Sequence, residues 1–232
     1  MRLASIAVLS VSIWCTAYAQ GADVRDLIAK LKSKDSDVRR SAAKELGELK
    51  EEAKSAVPEL IRATRDKDLF VRRYAAEALG NIGPDAKSGI TALSAVTNDE
   101  KKEVAEAAVD ALGRIGPDAI PALTSVLKDP NKHSNVRRKA AVALGKLGLR
   151  ARGSVPAMAD ILSGKVKMAK KGKGANDDDI RVEVATALGS VAKSGDEAAI
   201  KALKAVSEGK QKNKALKKAA GDALRQIDRG EK

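Results

Sequence analysis

The sequence is poor in the residue types that build metal centres and disulfide-bonded scaffolds. Its 232 residues include one histidine, one cysteine and one tryptophan. A single histidine cannot form a multi-histidine metal site, and a single cysteine cannot form an internal disulfide. These absences exclude multi-histidine metal centres and a fold that depends on internal disulfides.

Aromatic residues are equally scarce, at 2% of the chain. Large rings normally fill the space between the layers of a globular core, and they provide the stacking surfaces of single-strand nucleic-acid binders. The composition therefore favours neither a globular domain with a single aromatic-rich core nor a binder of single-stranded nucleic acid. The chain nevertheless has 44% hydrophobic residues beside 32% charged ones, with a net charge of +13, so it has enough apolar surface to fold.

The first nineteen residues have the pattern of a secretory signal peptide. Met1-Arg2 precedes an apolar run over residues 3–15, which ends in Thr16-Ala17-Tyr18-Ala19. We expect cleavage after Ala19. The run is too short to span a bilayer as an uncleaved anchor.

The alternative, a lipid-modified Cys15, is disfavoured because Trp14 occupies the preceding position, where a small residue is needed. The predicted domains are a signal peptide over residues 1–19 and one mature domain over residues 20–232. That mature chain contains no cysteine and no integral membrane span, and its aromatic residues are Phe70 and Tyr74. We expect a secreted or periplasmic protein that is stabilised by packing alone.

A repeat near 33 residues organises the mature chain. Six leucines mark it, and five of them are followed by glycine: Leu46-Gly47, Leu79-Gly80, Leu112-Gly113, Leu144-Gly145, Leu188-Gly189 and Leu224-Arg225. Apolar residues also recur eight and four positions before each leucine and three after it, which places them on one helical face. Glycine inside a helix costs about 0.8–1 kcal/mol relative to alanine, so its recurrence at one phase predicts close packing between helices.

A second helix-forming segment precedes each of these helices, and several begin with proline at a position that suits a first helical turn. Gly83-Pro84 and Gly116-Pro117 are typical helix stops. Each pair has too little apolar surface to fold alone, so the pairs must stack. The sequence predicts an all-α solenoid of about six antiparallel helix pairs.

The segment Val71–Pro84, VRRYAAEALGNIGP, resembles HEAT repeats, especially the short variety described in phycobiliprotein-lyase-like proteins. The resemblance covers about residues 23–228. It implies a superhelix whose second helices line the concave surface. Two departures stand out: Ala105 replaces the arginine found at Arg39 and Arg72, and an insertion of about residues 165–177 enlarges the fifth repeat.

The recurring arginines, Arg39, Arg72, Arg137 and Arg181, have two interpretations. They could bind anions, or they could pair with turn aspartates such as Asp35, Asp68 and Asp177. Recurrence at the repeat period favours a structural role, which is also what the resemblance implies.

No catalytic constellation is evident, so we expect a non-enzymatic protein without cofactor or metal. His133 is interpreted as a solvated loop residue. Asp177-Asp178-Asp179 suits a helix N-terminus better than a calcium site, because calcium loops space their carboxylates. Some HEAT-repeat enzymes hold iron through His-Glu pairs and others attach chromophores, but the sequence has no His-Glu pair and nothing that marks a chromophore site.

The positive charge is unevenly distributed. The eighteen outward positions expected on the second helices carry seven basic and five acidic residues, which does not suit a surface that tracks phosphates. The excess lies in the insertion and in residues 201–218, which contain seven lysines and Glu208.

These observations predict an exported scaffold that binds a protein partner of unknown identity. The candidate contacts are Arg40, Arg73, Tyr74 and Arg138, because interface anchors favour tyrosine and arginine. The alternative is binding of an anionic polymer, nucleic acid or acidic polysaccharide, through the last repeat and the insertion lysines Lys165, Lys167, Lys170, Lys171 and Lys173.

Overall fold

A computed structural model describes residues 23–166, 177–210 and 212–230. This part of the chain contains twelve α-helices: α1 Val24–Lys30, α2 Ser36–Glu48, α3 Val57–Ala63, α4 Leu69–Ile82, α5 Ile90–Val96, α6 Lys102–Ile115, α7 Ile120–Lys128, α8 Ser134–Leu147, α9 Val155–Leu162, α10 Asp177–Val191, α11 Glu197–Glu208 and α12 Lys214–Arg229. Short 3₁₀ segments at Lys50–Ala56, Gly83–Gly89, Pro117–Ala119 and Gly148–Ser154 link four of the pairs to the next. No strand occurs among these residues, and the expected all-α class is confirmed.

The helices form six pairs, each with a short first helix and a longer second helix. Every even-numbered helix packs against its own first helix and against each second helix next to it in the row, so that α4, α6, α8 and α10 each contact two and α2 and α12 each contact one. Five of the six repeat leucines are buried between the two layers, and Leu224 on the last helix is partly buried; Leu79, for example, has no exposed surface. The sequence period therefore gave the correct architecture, a solenoid of six stacked helix pairs.

The predicted start and stop signals occur where expected. Pro58, Pro121 and Pro156 lie in the first turns of α3, α7 and α9. Gly83 and Gly116 end α4 and α6 with φ angles of 74° and 99°. Because side chains strain such left-handed backbone, glycine suits these two positions.

The repeat glycines allow neighbouring second helices to approach closely, as predicted. A methyl group on Gly80 would lie 2.7 Å from the Ala111 Cα, and one on Gly145 would lie 3.2 Å from the Ala187 Cα. Distances below about 3.4 Å are tighter than ordinary contacts of a methyl carbon, so substitution would push the helices apart. Arg225 replaces glycine on α12, the last helix of the described chain.

Two of the recurring arginines each link their own repeat to the following one. Arg39 donates from Nε and Nη2 to both carboxylate oxygens of Asp66, at 2.7 and 2.8 Å. Arg72 does the same to Asp99, at 2.7 and 3.0 Å. Each arginine also donates to backbone carbonyls of the turn before its own helix, as Arg39 does to Ser33.

The structural interpretation of these arginines is confirmed, but the aspartates assigned to Arg39 and Arg72 were wrong. Asp35 accepts a hydrogen bond from the Asp37 backbone N–H, and Asp68 pairs with Arg40. The stacking offset carries each guanidinium to the turn of the following repeat, 27 residues along the chain.

Arg137 and Arg181 also donate to backbone, to the carbonyls of Leu127 and Leu162. The side chain of Asp177, the third aspartate assigned to this set, lies outside the described residues.

The predicted signal peptide, residues 1–19, lies outside the described residues, and so does most of the insertion. Within the described ranges, α9 ends at Leu162 and α10 begins at Asp177, in agreement with an insertion between the two helices of the fifth pair. No described helix combines the length and the apolar character that crossing a membrane requires.

Candidate functional site

The exposed side of α4 carries the two aromatic residues of the predicted mature chain. Phe70 begins this face, and Arg73, Tyr74 and Glu77 follow three, four and seven positions later. Side chains at this spacing lie beside one another on a helix. Phe70 keeps 39% of its surface exposed, which is unusual for a large apolar residue in this chain.

Two arginines stack on these rings. The Arg73 guanidinium lies 4.8 Å from the Tyr74 ring centre and 5.7 Å from that of Phe70. Arg40 reaches across from α2 to lie 5.0 Å from the Phe70 ring centre. Contacts of this kind contribute about 0.5–1 kcal/mol at exposed sites. We call Arg40, Phe70, Arg73 and Tyr74 the Phe70 cluster.

Asp68 fixes the cluster to the backbone. It caps α4 by accepting hydrogen bonds from the backbone N–H groups of Phe70 and Val71, at 2.9 and 3.0 Å. The same carboxylate accepts from Nε of Arg40 at 2.8 Å. The hydrogen bond from Arg40 holds the pKa of Asp68 far below its ordinary value, with help from the two backbone N–H groups.

The Phe70 cluster is therefore a preorganised surface and not a set of free cations. Arg40 is held by Asp68 and also by Asp37, at 2.8 Å. The Nε atom of Arg73 lies 3.4 Å from Oε1 of Glu77, an ion pair whose geometry is not that of a hydrogen bond. Fixed aromatic and guanidinium groups bind a partner with a small loss of conformational entropy.

The structure brings together three of the four candidate contacts. Arg40, Arg73 and Tyr74 surround Phe70, whereas Arg138 lies on α8, two second helices away, and pairs with Glu183 at 3.5 Å. Phe70 itself was missed by the sequence argument. It lies one residue before Val71, and the outward positions were counted only from the second residue after the valine onward.

The insertion lysines of the alternative hypothesis can be placed only in part. Lys165 pairs with Asp160 at 3.2 Å. Lys167, Lys170, Lys171 and Lys173 lie outside the described residues. In the last repeat, none of the described lysines between positions 201 and 218 has a carboxylate within 4.0 Å.

Groups associated with catalysis or metal binding do not converge in the described part of the chain. His133 is exposed at the N-terminus of α8 and makes no capping hydrogen bond with its side chain. Asp177-Asp178-Asp179 occupies the first turn of α10, where Asp178 lies 3.8 Å from Arg181. No three histidine, cysteine or acidic residues of the described ranges are arranged to hold a metal ion.

Several solved structures share this architecture. An engineered protein aligns over 90% of this chain and 97% of its own, with a TM-score of 0.58 and 23% identity. A designed armadillo repeat protein in complex with peptide (KR)₄ aligns over 89% of this chain and 100% of its own, with a TM-score of 0.55 and 18% identity. Likeness at these identities establishes the fold alone.

No curated protein matches the sequence significantly. A family model described as HEAT repeats, in contrast, matches residues 24–95 and 90–171. The two matches together span more than half of the chain and include the segments that carry the arginine links and the Phe70 cluster. The chain belongs to the HEAT-repeat family.

Proposed function

We propose that the protein is an exported, non-enzymatic scaffold that binds a partner protein through the exposed side of its second helices. The observation that carries this proposal is the Phe70 cluster. An exposed phenylalanine, a tyrosine and two arginines are the residue types that dominate interface energetics, and here they are fixed in one place.

The fold supports the same proposal. A row of second helices offers one extended surface, and the designed armadillo repeat protein in complex with peptide (KR)₄ is an example of a similar solenoid bound to a peptide. In this chain the ligand would differ, because its second-helix surface carries cations of its own.

The test is affinity capture with residues 20–232 and with a Phe70→Ala variant as bait. Leu149→Ala is the matched control, because Phe70 and Leu149 are the exposed large hydrophobic residues of the described chain, at 39% and 55%. We expect a partner that is retained by the parent chain and by the Leu149 variant but lost by the Phe70 variant. Capture that does not depend on Phe70, or no capture at all, contradicts the proposal.

Export is a separate part of the proposal and has its own test. The signal pattern over residues 1–19 supports it. N-terminal sequencing of the protein from the extracellular or periplasmic fraction should give Gln20 as the first residue. Protein that remains in the cytoplasm and begins at Met1 or Arg2 would refute export and leave the interaction surface unaffected.

The second candidate function is binding of an anionic polymer, favoured by the lysines of the last repeat, which have no carboxylate within 4.0 Å in the part of the chain that the structure describes. Such binding should weaken steeply as salt increases, because each neutralised phosphate or sulfate releases counterions. Replacing Lys165, Lys167, Lys170, Lys171 and Lys173 by alanine should weaken it further. Binding of a nucleic-acid or polysaccharide probe that is unchanged by these replacements excludes this function.

A further inference from the structure

A groove opens on the second-helix surface between α6 and α8. It has a volume of about 510 Å³, and its lining residues are Asp110, Gly113, Arg114, Arg138, Lys139, Val142, Ala143 and Lys146. Gly113 of α6 and Ala143 of α8 form the base of the groove, where the two helices are in contact. This groove is separate from the Phe70 cluster, which lies on α2 and α4.

The groove exists because α6 and α8 separate more than α4 and α6 do. A methyl group on Gly113 would lie 3.9 Å from the Ala143 Cα, whereas the corresponding distance from Gly80 to the Ala111 Cα is 2.7 Å. Ala105 also replaces the arginine that links each of the two preceding repeats to the next, so this junction lacks the corresponding arginine–aspartate pair. Its turns are joined instead by a hydrogen bond from Lys132 to the Asn98 side chain.

Val142 gives the groove an apolar centre. The equivalent positions on the other second helices are all polar: Lys44, Glu77, Asp110, Thr186 and Asp222. Val142 is half-buried between Arg138 and Lys146 on the outward face of α8. An apolar centre with a charged rim is the usual anatomy of a protein-binding surface.

The rim has an excess of positive charge. Lys139 pairs with Asp110 at 2.6 Å, and Arg138 makes a longer contact of 3.5 Å with Glu183. Arg114 donates to the Asn81 side chain, and Lys146 has no carboxylate within 4.0 Å among the described residues. The buried Nε of Arg138 also lacks an acceptor there.

The surrounding charges limit what can occupy the groove. The neighbouring helix α6 presents Glu103, Glu106 and Asp110, while Asp179 and Glu183 lie on α10. A long polyanion that crosses the helices would meet carboxylates on both sides of α8. A short acidic segment that runs along α8 would avoid them. Because α8 has 14 residues, it is about 21 Å long and matches roughly six extended residues.

We propose that the groove between α6 and α8 binds a short acidic segment of the partner protein, with an apolar side chain against Val142 and carboxylates against Arg114, Arg138 and Lys146. This inference rests on the proposed function and specifies its ligand.

The test uses a fluorescent peptide of about six residues, glutamates around a central leucine, with residues 20–232 and fluorescence anisotropy. We expect saturable binding that falls at least about tenfold when the glutamates are replaced by glutamines, because charge complementarity selects the ligand. Lys146→Glu should weaken binding about tenfold, and Val142→Ser about fivefold. Circular dichroism confirms that each variant is folded.

Lys218→Glu is the matched control, since it makes the same charge change on the second-helix surface of α12, outside the groove. It should change the affinity less than about twofold. Equal losses for Lys146→Glu and Lys218→Glu, an unaffected Val142→Ser variant, or equally tight binding of a short oligonucleotide at the same residues would overturn the inference. No binding of the acidic peptide would also overturn it, whereas Phe70-dependent capture would still support the proposed function.

Discussion

The junction between α4 and α6 and the junction between α6 and α8 use the same sequence pattern with different results. At the first, Arg72 binds Asp99 through two hydrogen bonds, and Gly80 allows the backbone of α4 to approach Ala111 of α6 closely. At the second, Ala105 replaces the arginine and the helices separate enough to leave a groove.

This comparison separates stability from recognition along one solenoid. At the tight junction, Arg72 links the repeats through Asp99, and at the loose junction Lys139 links them through Asp110. The loose junction leaves Arg114 and Lys146 without carboxylate partners in the described chain, so their charge is available to a ligand. One repeat position thus differs between the junction that stabilises the stack and the junction proposed to bind a ligand. It is occupied by Arg72 at the first and by Ala105 at the second.

The largest effect should come from breaking the arginine link. Arg72→Ala leaves Asp99, whose side chain is 10% exposed, without its ion-pair partner. We expect the free energy of unfolding to fall by about 2–4 kcal/mol, near the range for broken buried ion pairs. Urea denaturation measures it.

Arg65→Ala is the control for this variant, because Arg65 is exposed and has no ion pair within the described ranges. It should change the stability by less than about 0.5 kcal/mol. If the two variants lost equal stability, the arginine links would not hold the repeats together.

The glycines should respond according to the separation of the helices. Gly80→Ala brings a methyl group to 2.7 Å from backbone and should cost about 2 kcal/mol through overpacking. The methyl group of Gly113→Ala would lie 3.1 Å from the Ala143 Cβ and at an ordinary contact distance of 3.9 Å from its Cα, and the gain in helix propensity offsets the strain. Its expected cost is below about 0.5 kcal/mol by thermal unfolding. Equal costs would show that both junctions are equally tight.

The sequence predicted features that depend on local periodicity. The leucine spacing predicted the helix pairs, and the glycines after Leu79 and Leu112 predicted close packing between helices. Each of these predictions needs only the residues on one face of a single helix. The partner of Arg39 could not be deduced in the same way. Asp35 and Asp66 are both turn aspartates, and the choice between them depends on how far one repeat is shifted on the next.

The candidate site was predictable only where residue type was sufficient. Arg40, Arg73 and Tyr74 were chosen as plausible anchors, and the structure adds Phe70 as the ring that joins them. The groove between α6 and α8 had no direct sequence signal. It depends on how closely α6 and α8 approach each other, which the presence of alanine at position 105 does not determine.

Acid should weaken the two junctions that the Arg39–Asp66 and Arg72–Asp99 pairs link. Burial opposes ionisation of Asp66 and Asp99, but the hydrogen bonds from Arg39 and Arg72 still hold the pKa of each carboxyl below its ordinary value of 3.8. Their pKa values are thus lower folded than unfolded. Their contribution is fully present above about pH 4 and is lost as the pH falls through the folded values.

Between pH 5 and pH 3 this effect should be smaller than that of Arg72→Ala, because only part of the carboxyl population is protonated there. Thermal unfolding across this range should show a falling midpoint in the parent chain. The double variant Asp66→Asn/Asp99→Asn should show a flatter pH dependence, while Asn at the exposed Asp118 should leave the slope unchanged. A parent slope that the double variant retains would assign acid sensitivity to other carboxyls.

The smallest effect should have the opposite sign. Gly221 lies within α12, the last second helix, and a methyl group there would meet only the tip of Arg225, at 3.7 Å. Because no helix follows in the described chain, Gly221→Ala should gain helix propensity without strain, about 0.5–1 kcal/mol by urea denaturation. A loss of stability would mean that something packs on this side of α12. A gain beside the loss at Gly80 would show that a neighbouring second helix requires glycine at position 80, whereas nothing that packs on α12 requires it at position 221.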